Sequence, residues 1–144
     1  MDKIKYRVWC KNRNEWEKDP VFIDSEGNLY HMMRNGSLMQ CRPDTHIVQL
    51  FTGLPDSKRT DEYPEGQHIC EGDVVHVWET TCTPERTLDF TSEVAFREGQ
   101  FGFTKDHYGD WTQLAMVTCK GIKCEVIGNC CDNPELLEGG DSNL

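Results

Sequence analysis

Apolar and polar residues alternate along most of this 144-residue chain, and that alternation constrains the fold more than any other feature. The clearest run has Leu88, Phe90, Val94 and Phe96 on one parity, with polar residues at most positions of the other. Successive side chains of a strand point to opposite faces, so a period of two predicts strands with one buried face. The sequence therefore predicts a mainly β protein, in which short antiparallel strands form a small barrel or two packed sheets.

Turn signals divide the alternating runs into short segments. Asn35-Gly36 lies between two β-prone runs and predicts a hairpin with a type I′ turn, in which both central residues have positive φ. Residues 111–118 fit either a strand or a helical turn. Asn133 as N-cap and Pro134 at the first helical position predict a short C-terminal helical turn. We predict strands over residues 3–10, 21–23, 29–33, 38–41, 47–52, 74–78, 88–96, 101–103 and 122–126.

The length suits one domain, which we place at residues 1–138, followed by a flexible tail at 139–144. Residues 53–66 hold two prolines and many charges, and we interpret them as a surface loop within that domain. No apolar run reaches the roughly 18–20 residues of a membrane span. The charged N-terminus also lacks the apolar stretch of a signal peptide. These features predict a cytoplasmic protein that does not enter the membrane.

Eight cysteines are unusual in such a protein. A cytoplasmic setting keeps thiols reduced, so we expect free thiols that act as small core hydrophobes. Cys124 alternates with Val126 and should face the core, while adjacent residues such as Cys130 and Cys131 point to opposite faces if extended. We therefore predict core thiols and surface imidazoles, with no metal ligand. The two groups considered are Cys119, Cys124, Cys130 and Cys131, and His68, Cys70 and His76.

The stretch Glu71-Gly72-Asp73 precedes an alternating run and allows several interpretations. The two carboxylates could form an acid–base pair or bind a hard cation. Cys70 could act as a nucleophile with His68, although the neighbouring negative charge disfavours a thiolate. We favour a turn that starts the next strand, in which Gly72 takes a positive φ, Asp73 bonds the turn backbone, and both carboxylates stay in water.

The formal net charge of −10 argues against a protein that wraps a nucleic-acid backbone, because such proteins neutralise phosphates with lysine and arginine. Aromatic residues on the strands are expected to lie in the core rather than to stack on bases. One basic footprint remains near the N-terminus. It consists of Lys3, Lys5, Arg7, Lys11 and Arg13, with Trp9 among them.

Three stretches of the sequence together carry a family resemblance. They are IKYRVWCKNRNEW near the start, FTGLPDSKRTDEYPEGQHICEGDVV in the middle and CEVIGNCCDNPELL near the end. In this order the sequence resembles the YopX-like proteins of bacteriophages and prophages. The resemblance implies a mostly β fold, a phage or prophage origin and a cytoplasmic setting in a bacterial host. It brings no catalytic residues, and the abundance of cysteine and the longer link at residues 57–70 are departures from the family pattern.

The sequence supports a non-enzymatic protein that works by binding an unknown protein partner or by self-association. Open strand edges and the 53–70 segment are the expected contact surfaces. The first alternative is a nucleic-acid accessory protein in phage replication or regulation, using the basic N-terminal strand. A less favoured one is a metal-dependent hydrolase using Glu71, Asp73 and a histidine. No residue is assigned a catalytic, cofactor-binding or metal-binding role.

Overall fold

The structure, a computed structural model, describes residues 5–80 and 88–137. Over these residues it is built from short strands, a 3-10 helix at Leu114–Thr118 and helical residues at 135–137. The predicted fold class, mainly β with antiparallel strands and a short C-terminal helical turn, is confirmed. The strands are β1 (Tyr6–Cys10), β2 (Glu15–Trp16), β3 (Val21–Ile23), β4 (Leu29–Met32), β5 (Leu38–Gln40), β6 (His46–Pro55), β7 (His68–Cys70), β8 (Asp73–Glu79), β9 (Asp89–Arg97), β10 (Gln100–Phe103), β11 (Thr112–Gln113) and β12 (Ile122–Asn129).

The chain forms two compact units, residues 1–50 and residues 51–144. In the first unit, β1 pairs with β2 on one side and with the beginning of β6 on the other, both antiparallel. Strands β3, β4 and β5 form a separate antiparallel sheet. Among the described residues of the first unit, the buried apolar ones are few, namely Val8, Trp9, Cys10 and Val21.

The second unit contains the larger core. Its five-stranded antiparallel sheet has the order β11-β10-β9-β8-β12. The alternation predicted most of the buried positions, because Val75, Val77, Phe90 and Val94 all lie in one apolar cluster. Phe96, on the same parity as Phe90 and Val94, is instead 45% exposed. Phe103 and Leu114 complete that cluster from β10 and the 3-10 helix. The end of β6 pairs with β7, where Phe51 lies opposite Cys70.

The β4–β5 hairpin is confirmed, but the predicted type I′ turn is wrong. Gly36 has a φ of 86°, whereas Asn35 is not among the described residues with positive φ. The Gly36 N–H donates to the Met33 carbonyl, and the Met33 N–H donates to the Ser37 carbonyl. Asn35 instead accepts hydrogen bonds through its side chain from the Ser37 N–H and hydroxyl. The loop is longer than a two-residue type I′ turn, and Asn35 therefore does not need the left-handed conformation.

The structure also shows what forms at residues 111–118 and near the C-terminus. Residues 111–118 contain both candidates, since the short strand β11 is followed directly by the 3-10 helix. Near the C-terminus, Asn133 precedes the helical residues as predicted, but its side-chain oxygen accepts from the Asn129 N–H rather than from the helix. Lys3, Cys82 and the predicted tail at residues 139–144 lie outside the described residues.

Candidate functional site

Asp73 is a buried carboxylate, so the expectation that it stays in water is wrong. Its side chain is 1% exposed. One carboxylate oxygen accepts from the Cys70 N–H at 2.7 Å, and the other accepts from the Asn129 side-chain amide at 3.0 Å. The amide orientation is fixed, because the Asn129 oxygen accepts from the Cys131 N–H. The strand begins inside the protein, and these donors replace the water that the carboxylate loses.

Gly72 confirms the predicted turn. Its φ is 84°, a conformation that glycine adopts without the steric cost of a Cβ. Its N–H donates to the Val94 carbonyl at 2.7 Å, and its carbonyl accepts from the Cys130 N–H at 2.8 Å. The turn thus connects β9 with the segment after β12 and serves the fold.

A second buried carboxylate has the same type of role. Asp56 is 3% exposed and accepts from the N–H groups of Gln67 and Val126. Its backbone carbonyl accepts from the Arg59 guanidinium at 2.7 Å. The middle and last of the three segments that carry the resemblance therefore meet inside the second unit through buried side-chain bridges, which is consistent with a structural role for their motifs.

The predicted cysteine and histidine groups do not assemble into a site. Cys124 is buried in the core, as predicted, whereas Cys119 is exposed. The Cys70 thiol contacts the His68 carbonyl, and the His68 ring stacks on Phe51. The His76 Nε2 lies 2.7 Å from Asp89.

Cys130 and Cys131 do not point apart. Their sulfurs lie 4.0 Å from each other because both residues are in a turn rather than a strand. Burial, together with the Cys131 thiol and other neighbours, raises the pKa of the Cys130 thiol to about 12. This pair is therefore a poor source of thiolate at neutral pH.

A different cluster, which the sequence did not indicate, lies in the first unit. We name it the thiol–imidazole cluster. One set of ligand atoms comes from His31, Cys41 and His46, and a second comes from Cys10, Glu17 and His46. Within each set the atoms lie within 4.8 Å of one another. Among the described residues, these are the groups that bring three such side chains together.

Strand pairing creates the cluster. Cys10 at the end of β1 lies directly opposite His46 at the start of β6. His31 lies on β4, and Cys41 follows β5, its N–H donating to the Leu29 carbonyl of β4. The sequence places these residues in or beside predicted strands but does not show which strands are neighbours. The signal that could have found them is a cysteine or histidine in or next to four predicted strands.

The cluster surrounds a buried acid. The Glu17 side chain is 3% exposed, forms an ion pair with Arg13 and lies 3.1 Å from the His46 Nε2. Burial acts to raise the pKa of Glu17, but the hydrogen bonds with Arg13 and His46 outweigh it and lower that pKa. Burial and the charge of Glu17 raise the pKa of the Cys41 thiol. The site therefore combines a carboxylate and two thiols, and the Arg13 guanidinium contacts both Glu17 and Cys10.

The β3–β4–β5 sheet exposes several apolar side chains on one face, and Met39 is exposed on the other. Its register places Phe22 opposite Tyr30 and Met32 opposite Leu38, all on one side of the sheet. Phe22, Met32 and Leu38 are 40%, 50% and 54% exposed. We call the side of the sheet that carries Phe22, Tyr30, Met32, Leu38 and Gln40 the outer face. The other side carries His31 and leads into the thiol–imidazole cluster.

The basic footprint proposed for nucleic acid is dispersed. Trp9 is buried, so it has no free face for a base. Arg7 bonds the Gln49 side chain and covers the Trp16 ring, and Arg13 pairs with Glu17. Within the described part of the chain, Lys5, Lys11 and Arg13 are the exposed members of the set, and Arg13 is paired with Glu17. No helix in that part is both long and apolar enough to cross a membrane.

Fold and site together define a small antiparallel β protein with buried side-chain bridges and a thiol–imidazole cluster. Residues 5–138 match the YopX protein family, and the chain belongs to that family. The fold is similar to the crystal structure of protein yopX from Bacillus subtilis, with a TM-score of 0.61 and 20% identity over 94% of this chain and 98% of that one. Protein EF1440 from Enterococcus faecalis has a TM-score of 0.57 and 20% identity over 95% and 99%. None of the curated proteins matches the sequence.

Proposed function

We propose that this chain is a non-enzymatic assembly module that associates with a second copy of itself through the outer face of the β3–β4–β5 sheet. The resemblance to phage and prophage proteins supports a phage origin and a cytoplasmic setting, and both belong to the proposal. The observation that carries it is the exposure of Phe22, Met32 and Leu38 on one face of one sheet. Contiguous exposed apolar side chains are typical of contact surfaces, and methionine adapts to the shape of a partner.

Charge favours a second copy as the occupant of this face. Residues 1–50 carry eight lysines and arginines against seven acids, whereas residues 51–144 carry seven against eighteen. The excess negative charge therefore belongs to the second unit, and the outer face belongs to a nearly neutral one. Two such faces can approach each other with little repulsion, while a strongly basic partner would be attracted to the second unit.

The size of the face sets the strength of the association. Three strands of three or four residues present on the order of a few hundred Å². Stable complexes bury roughly 800 Å² on each partner. We therefore expect a weak dimer that depends on protein concentration.

Light scattering coupled to size exclusion, over a wide concentration range, tests the proposal. The wild-type mass should rise from the 16.6 kDa of one chain toward twice that value. The double variant Met32→Gln and Leu38→Gln should stay monomeric, because both polar side chains prefer water to an apolar contact. Ile127→Gln is the matched control, since Ile127 is also exposed but lies in the second unit.

Two outcomes would contradict this proposal. One is a wild-type protein that remains monomeric at the highest concentration. The other is a dimer that both the double variant and the control retain, which would place the contact elsewhere. Circular dichroism of each variant separates a loss of association from a loss of folding.

A further inference from the structure

The thiol–imidazole cluster offers the ligands of a structural zinc site. It contains two thiols, two imidazoles and one carboxylate from five separate positions between residues 10 and 46. Sulfur and imidazole nitrogen are ligands that zinc prefers, whereas magnesium and calcium take oxygen. Two cysteines with two histidines form a common structural zinc set. The chemistry of the donors therefore points to zinc.

The distances are close to those of a bound ion. Ligand atoms around a tetrahedral zinc lie about 3.3–3.8 Å apart, as follows from bonds of about 2.0–2.3 Å. In this protein the atoms of each set lie within 4.8 Å, and His46 belongs to both sets. The two rings of His31 and His46 are 5.3 Å apart between centroids. Because His46 belongs to both sets, an ion bound to it lies within reach of ligands from each set.

The hydrogen bonds of His46 orient its ring as in a metal ligand. The Thr45 hydroxyl donates to the Arg42 carbonyl at 2.9 Å, so it is placed to accept from the Nδ1–H of His46 at 2.7 Å. The Nε2 is the other ring nitrogen and faces the Glu17 carboxylate, 3.1 Å away. Metal-binding histidines are commonly oriented in this way, with the second ring nitrogen bonded to a protein oxygen.

The first unit has a small apolar core, so a bound metal ion would add to its stability. Of fourteen buried apolar side chains among the described residues, Val8, Trp9, Cys10 and Val21 belong to that unit. Small units with little core are often held together by a metal or by disulfides. A metal here would join the ends of β1 and β6 to the β3–β4–β5 sheet.

We propose that the first unit binds one Zn²⁺ through Cys10, His31, Cys41 and His46. Glu17, which pairs with Arg13, moves away from the His46 Nε2 to make room for the ion, and the two thiolates balance the charge of the ion. Binding releases the thiol protons of both cysteines to solvent and involves no oxidation or reduction. The ion has a structural role, because protein ligands complete its tetrahedral shell.

Metal analysis of the full chain, purified without chelator and reconstituted with Zn²⁺, tests the site. We expect about one zinc per chain in the wild type and in the control Cys119→Ser, whose thiol is exposed and lies in the other unit. Cys41→Ser and His46→Asn should lose the tight zinc. With Co²⁺ instead, the thiolate-to-cobalt absorption should weaken in Cys10→Ser and in Cys41→Ser, because each removes one of two thiolates.

A second measurement keeps the proposal testable if the variants fail to fold. Removal of zinc from the wild type by a chelator should lower the melting temperature, and added Zn²⁺ should restore it. The absence of stoichiometric zinc after reconstitution would overturn the proposal. Retention of zinc in both Cys41→Ser and His46→Asn would also overturn it, because the ion would then be bound elsewhere.

Discussion

Among single residues, Asp73 shows that an acid beside a turn glycine can be buried and can hold two segments together through hydrogen bonds. The carboxylate accepts from the Cys70 backbone and from the Asn129 side chain, and both donors are buried with it. A buried donor that loses its acceptor destabilises the folded state, because it has given up its hydrogen bond to water and has no other in its place. The role of this residue is therefore to start β8 at one register and to hold the end of β12.

We predict that Asp73→Asn lowers the free energy of unfolding by about 1–3 kcal/mol. The new amide nitrogen must face either the Cys70 N–H or the Asn129 amide, and Asn129 cannot reverse because its oxygen accepts from Cys131. Urea unfolding at neutral pH measures the change. Asp61→Asn, which removes the same charge at an exposed position, should be nearly neutral. Equal stability of the two variants would contradict the structural role of Asp73.

At the element scale, the β3–β4 hairpin depends on Asp24. This carboxylate accepts from the Asn28 side chain and backbone, the Glu26 N–H and the Tyr30 hydroxyl. These hydrogen bonds, led by that of the Asn28 side chain, lower the pKa of Asp24 to about 2. The hydrogen bond between the Tyr30 hydroxyl and Asp24 raises the pKa of Tyr30. The hairpin that carries half of the outer face is thus fixed by one ionised side chain.

The lowered pKa predicts a pH dependence. A carboxyl whose folded pKa lies below its ordinary value of 3.8 stabilises the folded state above that value and loses the effect as pH falls through about 2. Wild type should therefore exceed Asp24→Asn in stability at neutral pH, and the gap should close between about pH 4 and pH 2. Urea unfolding of both proteins across that range is the measurement. A gap that is constant with pH would show that the charge of Asp24 is not involved.

At the scale of the whole molecule, the distribution of charge matters more than its total. The chain carries a net −10, yet its first fifty residues are almost balanced. Two copies in solution repel each other at long range through their second units, while the proposed contact is apolar and uncharged. Added salt screens the repulsion and leaves the apolar contact intact.

We therefore predict that self-association strengthens with salt. At a fixed protein concentration, the average mass should rise when NaCl is increased from about 50 mM to about 500 mM, where the screening length is only a few ångströms. Sedimentation equilibrium provides the measurement, with the Met32→Gln and Leu38→Gln double variant as the control. A decrease in average mass with salt would indicate an interface of ion pairs and would contradict an apolar contact.

Local features of this protein were predictable from the sequence. The alternation at residues 88–96 and 122–126 identified strands and the buried residues Phe90, Val94 and Cys124, because the period of a strand is a property of the backbone itself. The turn at Gly72 followed from the conformations that glycine alone adopts easily. The order of the three family segments indicated the YopX family, which the match over residues 5–138 confirms.

The sites depend on contacts between distant parts of the chain, and those were decided by the tertiary structure. Cys10 and His46 are opposite each other because β1 pairs with β6, and a shift of one residue in that register would send one of them to the other face. Asp73 is buried because Asn129, far along the chain, comes to bond it. From the sequence, most of the strands, the Gly72 turn and the family could be determined. The pairing of strands decided the thiol–imidazole cluster, the outer face and the buried acids, since it is set by packing between segments and not by local preference.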